Sequence, residues 1–433
     1  MSAGNATAPV RVGLLGCGNV GGALVQILES DAEVITARTG LRLEVTRVAV
    51  RNLAKERQVE LPDGVLTHDA AAVATAPEVD VVVEVIGGIE PARSLILAAL
   101  KSGKPVVTAN KELMANVGAE LAQVAAANNV DLLYEASVGG GIPLIRPLRE
   151  SLAGERVRRL MGIVNGTTNY ILTRMTEEAT TYAEALAEAQ SLGYAERDPT
   201  ADVEGYDAGA KAAILATIAF GVEVVAGDVY REGISGVTAH DIGVADRLGY
   251  VVKLLAMADQ DDAGAVAVRV HPAMLPQAHP LAAVRGSFNA VFVEGEAVGE
   301  LMFYGRGAGG APSASAVLGD LIDAAHNLRA GGTSRSTSPP RAVIRPIDEL
   351  RSQYYLSIDV VDRPGVLAAV AQVFGGHQVS IRSMEQTGLA DEARLIFITH
   401  TAREADLQAT ITGLHQLDVV KRVGSLLRVA GPE

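Results

Sequence analysis

Residues 194–215 read YAERDPTADVEGYDAGAKAAIL and gather Glu196, Asp198, Asp202, Glu204 and Asp207 ahead of a single Lys211. Asp207 and Lys211 are four apart, which on a helix puts them on one face, a turn from each other. From Ala208 to Ile218 the neighbours of Lys211 are apolar or small, so this helix is expected to be buried nearly all round. A lysine at its N-terminal end then lies at the edge of the interior, facing a loop of carboxylates. Two readings fit. Acids near a helix start are ordinary capping and dipole partners. Alternatively, the ammonium and the acids form a proton-transferring, cation-binding socket.

Other residues with chemistry to offer lie upstream. Gly16, Gly18 and Gly21 form G-x-G-x-x-G between an apolar run and a helix pattern that opens at Asn19 and Val20. The first glycine permits a tight turn, the second lets backbone approach a pyrophosphate, and the third lets helix pack on strand; the helix start offers amide donors to phosphates. The next strand ends at Val50 and is followed by Arg51 and Asn52, where an acid would grip ribose hydroxyls. Arginine there suits a 2′-phosphate and points to NADP(H), with NAD(H) as the alternative. VVTANKELMA places Thr108, Asn110 and Lys111 where a parallel strand ends, facing the crevice of a nicotinamide; a helix-capping Asn110 beside a solvated Lys111 is the competing reading. Only seven of the 37 basic residues are lysines, which singles out Lys111 and Lys211. YEASVGGGIP bends beside Glu135 and offers backbone carbonyls to a monovalent cation, although its spacing favours a simple turn.

The elements that must position these residues follow from periodicity. VRVGLL, LRLEVTRVAV, VDVVVEVIGG and KPVVTAN are continuous apolar runs alternating with helix patterns, as in a doubly wound parallel sheet over residues 9–135. Residues 136–328 read as a mixed α+β domain, with strands in RLMGIVNG and NAVFVEGEAVGELMFYG and helices near 182–192, 207–220 and 245–258. GRGAGGAPSA is a second glycine-rich turn there. Residues 329–350, rich in Gly, Ser, Thr and Pro, read as a linker. Residues 351–430 give strand, helix, strand, strand, helix, strand, a ferredoxin-like unit, with Pro364 at a first helical turn.

A net charge of −14 argues against nucleic-acid or anionic-membrane surfaces, and no apolar run reaches the length of a membrane span. The single cysteine, Cys17, fits a reducing, cytoplasmic setting, and MSAGNATAPV reads as a short disordered tail.

Taken together, GLLGCGNVGGAL, VVTANKELMA, YEASVGGGIPLI, NGTTNYIL and above all GYAERDPTADVEGYDAGAKAAIL resemble homoserine dehydrogenase in its monofunctional form with a C-terminal ACT domain. The resemblance runs from Val10 to about Val429, with no kinase-like region ahead of Val10. It implies a Rossmann-type nucleotide domain, a catalytic and dimerisation domain, and an ACT domain. It also implies NADP(H)-linked interconversion of aspartate 4-semialdehyde and homoserine on the route to threonine and methionine. By carry-over, Lys211 is the proton donor and Lys111 a second essential lysine. Glu196 binds the substrate ammonium, with Asp202 and Asp207 completing the site. A sodium ion sits on the main-chain oxygens of Glu135, Val138, Gly140 and Ile142. Asp362, Arg363, Pro364 and Gly365 resemble an ACT effector-binding turn for an amino acid, and a homodimer or homotetramer is expected. Arg197 and Gly209 depart from the pattern, Gly209 weakening the helix start by roughly 1 kcal/mol relative to alanine. Two other readings remain. One is a 2-hydroxy-acid dehydrogenase, which would need a histidine–carboxylate pair; the other is a noncatalytic NADP sensor, which would not need Lys111, Glu196 and Lys211 together.

Overall fold

The computed structural model describes residues 8–334, 339–389 and 391–430; the expected N-terminal tail up to residue 7 and linker residues 335–338 lie outside the described residues. Six parallel strands, β1 (Val10–Leu15), β2 (Leu43–Ala49), β3 (Leu66–Thr67), β4 (Val81–Glu84), β5 (Val106–Thr108) and β6 (Leu132–Leu133), pair in the order β3-β2-β1-β4-β5-β6. Strand order reverses between β1 and β4, the switch point where open α/β sheets take ligands. Every residue of β4, and all of β1 except Arg11, is buried, which is why these runs are continuously apolar rather than alternating.

One helix crosses the expected domain division. Gly310–Ala330, beginning inside the 136–328 segment, packs Ala314, Val317, Leu321 and Ala324 into the same core as Val12, Leu14 and Leu24. The chain therefore returns late to cover the face of the nucleotide sheet that carries the helix Asn19–Ser30.

The second sheet contains β7 (Val157–Ile163), β8 (Tyr230–Arg231), β9 (Tyr250–Gln260), β10 (Val266–Pro276), β11 (Phe288–Gly295) and β12 (Gly299–Arg306), ordered β12-β11-β7-β9-β10 with β8 beside β10. A helix was expected over 245–258; instead the helix Ala239–Arg247 stops before Gly249 and β9 follows. Seven consecutive buried residues at the centre of β9 explain the difference, since a fully buried strand carries no alternation to distinguish it from a buried helix.

The C-terminal unit comprises β13 (Arg351–Val361), β14 (Ile381–Leu389), β15 (Glu392–Thr399), the short β16 (Ala402–Arg403) and β17 (Val420–Val429), with helices Val366–Gly376 and Glu404–His415. Its sheet runs β17-β13-β15-β14 and joins the catalytic sheet directly, because β17 pairs in parallel with β10 at Ala273–Arg428 and Met274–Val429. One face, with Tyr354, Leu356 and Phe397, packs under the two helices; the other, with Tyr355, Ile396 and Leu427, packs on the catalytic core. The described second half of the linker is stitched to the same sheet by Val266 N–H donating to Val343 O and Arg345 N–H to Val266 O, both at 2.8 Å. No described helix is long and apolar enough to cross a membrane.

Candidate active site

Three elements deliver their ends to one point. The helix Tyr206–Phe220 starts after Gly205, so Asp207 occupies its first turn, where the helix dipole favours an anion, and Lys211 lies one turn on. Strand β7 ends at Ile163, and Val164 and Asn165 lead into the helix Gly166–Glu178, which Asn165 caps by accepting from Thr168 N at 2.9 Å. Strand β5 ends at Thr108, and Asn110 caps the helix Lys111–Ala127 by accepting from Leu113 N at 3.1 Å. Lys211 Nζ donates to Asp207 Oδ2 and to the Val164 carbonyl, each at 2.7 Å. Lys111 Nζ reaches Asp207 Oδ1 from the nucleotide domain at 2.6 Å. Asn165 Nδ2 donates to Asp202 Oδ1 at 2.7 Å and to Asp207 Oδ2 at 2.9 Å. The Asp207–Lys211 ion pair is thus one bond of a five-bond junction.

Burial opposes ionisation of Asp207, but the Lys211 and Lys111 ammoniums outweigh it and hold its carboxyl well below the usual range. Burial likewise works against the Lys111 ammonium, and Asp207 overcomes it and raises its pKa. Asp202 is shifted the other way, because burial dominates and the Asp207 charge adds to it, against the donor of Asn165. One fully ionised carboxylate thus stands beside one that is easier to protonate. Around them are ammonium hydrogens not committed to protein acceptors, since each ammonium has three.

The cofactor cleft opens at the switch point, a space of about 840 Å³ lined by Gly16, Gly18, Asn19, Arg51, Lys55 and Arg57 among others. Gly16 has φ +101°, and a Cβ there would lie 2.9 Å from Val85 O. A Cβ on Gly21 would collide with the Gly16 carbonyl, whereas one on Gly18 would meet nothing within 4 Å. The open side of Gly18 is the side from which a pyrophosphate would approach, so the loop fits a dinucleotide. Val20 is half-buried in the first turn of the helix behind it.

Comparison with known proteins finds relatives along nearly the whole chain. The homoserine dehydrogenase NAD-binding model matches residues 16–135, the homoserine dehydrogenase model 143–322 and the ACT domain model 354–419. A homoserine dehydrogenase of Mycobacterium tuberculosis is 51% identical over 98% of both chains. The chain belongs to the homoserine dehydrogenase family. The crystal structure of a family member from Thiobacillus denitrificans superimposes with a TM-score of 0.90 at 41% identity, covering 98% of each chain. A hyperthermophilic archaeal homoserine dehydrogenase in complex with NADPH matches with a TM-score of 0.62 at 30% identity, covering 74% of this chain and 98% of the other. Membership makes the protein an oxidoreductase acting on a CH–OH group with a nicotinamide cofactor, and the 2-hydroxy-acid and sensor readings fall away.

The other residues expected at the site are placed as follows. Glu196 is exposed, its backbone carbonyl held by Gln190 Nε2 at 3.1 Å, and its carboxylate has no partner among the described residues. Thr108 is fully buried and donates to Glu84 Oε2 at 2.6 Å, so its hydroxyl is committed beneath the cleft rather than displayed in it. Asn110 likewise spends its side chain on the cap and on Gly88 O. Glu135 directs its carboxylate to the backbone N–H groups of Leu144, Ile145 and Arg146, which leaves only its main-chain oxygen for a cation. Val138, Gly140 and Ile142 are buried, and no described backbone donor reaches their carbonyls. Gly140, at φ +56°, packs its α-carbon against Gly307 of the second glycine-rich turn, where a Cβ would lie 2.6 Å from Gly307 C.

Sequence reasoning missed Asn165, Glu84, Lys55 and Arg57. Glu84 had one signal, a lone acid closing an apolar strand. Gly209, read as a weakness, has a packing reason: a Cβ there would lie 2.8 Å from Cδ of Arg231, which stacks 4.6 Å over Tyr206.

Proposed function

We propose that this chain interconverts L-aspartate 4-semialdehyde and L-homoserine with NADP(H) as its preferred cofactor, on the route to threonine and methionine, and that Lys111, Asp207 and Lys211 carry the reaction. The observation behind the reading is the convergence of two ammonium groups on one buried carboxylate at the ligand edge of the nucleotide sheet. When bound, the nicotinamide cofactor supplies or removes the hydride. In the reducing direction Lys211 has two of its N–H groups anchored by Val164 and Asp207, and the third serves the aldehyde oxygen. It stabilises the developing alkoxide and hands over its proton. Lys111 keeps a second positive charge at the same point. Glu196 and Asp202 match the ammonium of the substrate. Replacing Lys111 with alanine tests this: turnover should fall by about 100-fold or more while NADP+ still binds, and near-normal turnover would remove Lys111 from the site.

NADP preference is supported by Arg51, joined at the cleft by Lys55 and Arg57. A sodium ion on the main-chain oxygens of Glu135, Val138, Gly140 and Ile142 is supported by the buried Val138, Gly140 and Ile142, whose carbonyls no described backbone donor reaches. Assembly as a homodimer or homotetramer accords with β12, an edge strand that leaves Met302 and Tyr304 exposed.

A further inference from the structure

Strand β4 is apolar until its last residue, Glu84, which is fully buried and has no ion pair among the described residues. A buried acid without a cationic partner must find its compensation in hydrogen bonds. Glu84 finds three. Its Oε1 accepts from Ile86 N at 2.7 Å and from Gly87 N at 3.1 Å, and its Oε2 accepts from the Thr108 hydroxyl at 2.6 Å. The first two bonds shape the turn after β4, where Gly87 and Gly88 take φ +82° and +74°, values that favour glycine. Ile86 and Gly87 of that turn line the cofactor cleft. The third bond runs to the neighbouring strand, since β4 and β5 pair at Glu84–Thr108. Thr108 Oγ1 in turn accepts from Asn110 N at 3.0 Å, and Asn110, the cap of the helix Lys111–Ala127, returns its side-chain amide to Gly88 O at 2.6 Å. The bonds close a ring through which one side chain grips both the turn at the cleft and the start of the helix that carries Lys111.

We propose that Glu84 is a positioning residue for the reaction: through Thr108 and Asn110 it fixes where Lys111 stands, and through the Ile86 and Gly87 amides it fixes the turn at the cofactor cleft. Lys111 needs such a fixture. It is the first residue of its helix, its side chain is 45% exposed, and its ion-pair partner, Asp207 at 2.6 Å, belongs to the other domain. The helix start therefore sets its reach from the nucleotide side, and misplacing a reacting group by about 1 Å costs about 10²-fold in rate. The ring also ties the two halves of the site together. A shift of the turn at Gly88 pulls on Asn110, so seating of the cofactor and placement of the ammonium are coupled.

The inference rests on the catalytic reading of Lys111, and a set of variants of the full-length protein separates the two. Thr108→Val cuts the ring at the hydroxyl and leaves the Ile86 and Gly87 bonds in place. Its kcat with L-homoserine should fall about 10–100-fold while calorimetric NADP+ affinity stays within about threefold of wild type. Thr108→Ser keeps the hydroxyl and should restore turnover. Glu84→Gln still offers an acceptor to the two amides but turns a donor toward Thr108, so it should show the same split and carries the test if the valine variant does not fold. Glu84→Ala releases the turn as well and should weaken NADP+ binding too. In a Lys111→Ala background, Thr108→Val should lower kcat by less than about threefold further, because the group it positions is gone, whereas a general loosening of the fold would multiply the two losses. Near-normal turnover of Lys111→Ala would remove the catalytic reading and this inference with it. An impaired Lys111→Ala beside Thr108→Val or Glu84→Gln within about twofold of wild type, or a full multiplication of the two losses, would overturn the inference alone.

Discussion

Replacing Lys211 with methionine separates the catalytic from the structural role of the ammonium. Its side chain is 11% exposed and that of Asp207 6%, so water screens the pair little. Breaking a buried pair outright costs about 3–5 kcal/mol. Here Asp207 retains Lys111 at 2.6 Å and Asn165 at 2.9 Å, and the Val164 carbonyl loses one donor. The expected cost is therefore nearer that of an under-satisfied buried group, about 1–3 kcal/mol. The rate should suffer more, because loss of a positioned general acid is worth about 10²–10⁴-fold, or roughly 3–5 kcal/mol of barrier. Steady-state turnover of L-homoserine, calorimetric NADP+ affinity and urea unfolding give the three readings. Turnover should fall at least about 100-fold, cofactor affinity should hold, and stability should drop modestly. Because the folded-state pKa of Asp207 is depressed, its pairing energy is complete above about pH 4 and is lost as pH falls through the folded value. The stability gap between wild type and variant should accordingly narrow on acidification below about pH 4. Turnover within threefold of wild type would refute the proton-donor assignment, and a gap constant into strong acid would refute the ion pair.

Arg51→Ala should raise the KM for NADP+ by about 10–100-fold, the worth of a lost charge-assisted contact, and leave that for NAD+ nearly unchanged. Gly18→Val should abolish cofactor binding with little loss of stability, whereas Gly21→Val, which drives a side chain into the Gly16 carbonyl, should destabilise the nucleotide domain; thermal unfolding and NADP+ titration distinguish them. Arg428 is 2% exposed and pairs with Glu232 and Glu404. Its replacement by methionine strands the buried Glu404 carboxylate and leaves the half-buried Glu232 without its partner across the seam between the two domains, and should cost about 3–5 kcal/mol in urea unfolding. Burial pushes the Asp320 carboxyl up to about 7. The folded state therefore holds a proton that the unfolded state has lost, and stability should fall as pH rises from about 4 to 7. Asp320→Asn should flatten that slope.

The nucleotide sheet was legible because β1 and β4 are buried on both faces, and burial on both faces writes a continuous apolar run. The Asp207–Lys211 pair was legible because helical spacing makes residues four apart neighbours. The third member of the site was legible only as a type: Lys111 stood out by the rarity of lysine, but nothing local joins it to Asp207, which belongs to another domain. Asn165 opens the segment NGTTNYIL but was not singled out within it, since a helix cap with a spare amide looks like any other cap. β9 was misread for the physical reason that an apolar run buried on both faces has no period. The continuity of the ACT sheet with the catalytic sheet depends on the register of β17 against β10, a long-range pairing with no local trace.

The most direct measurement is NADP+ reduction by the purified protein with L-homoserine at alkaline pH, with NAD+, L-lactate and 3-phosphoglycerate as controls. The account predicts homoserine-dependent reduction that is faster with NADP+ than with NAD+ and absent with the other two substrates. Cofactor binding without homoserine turnover would contradict it.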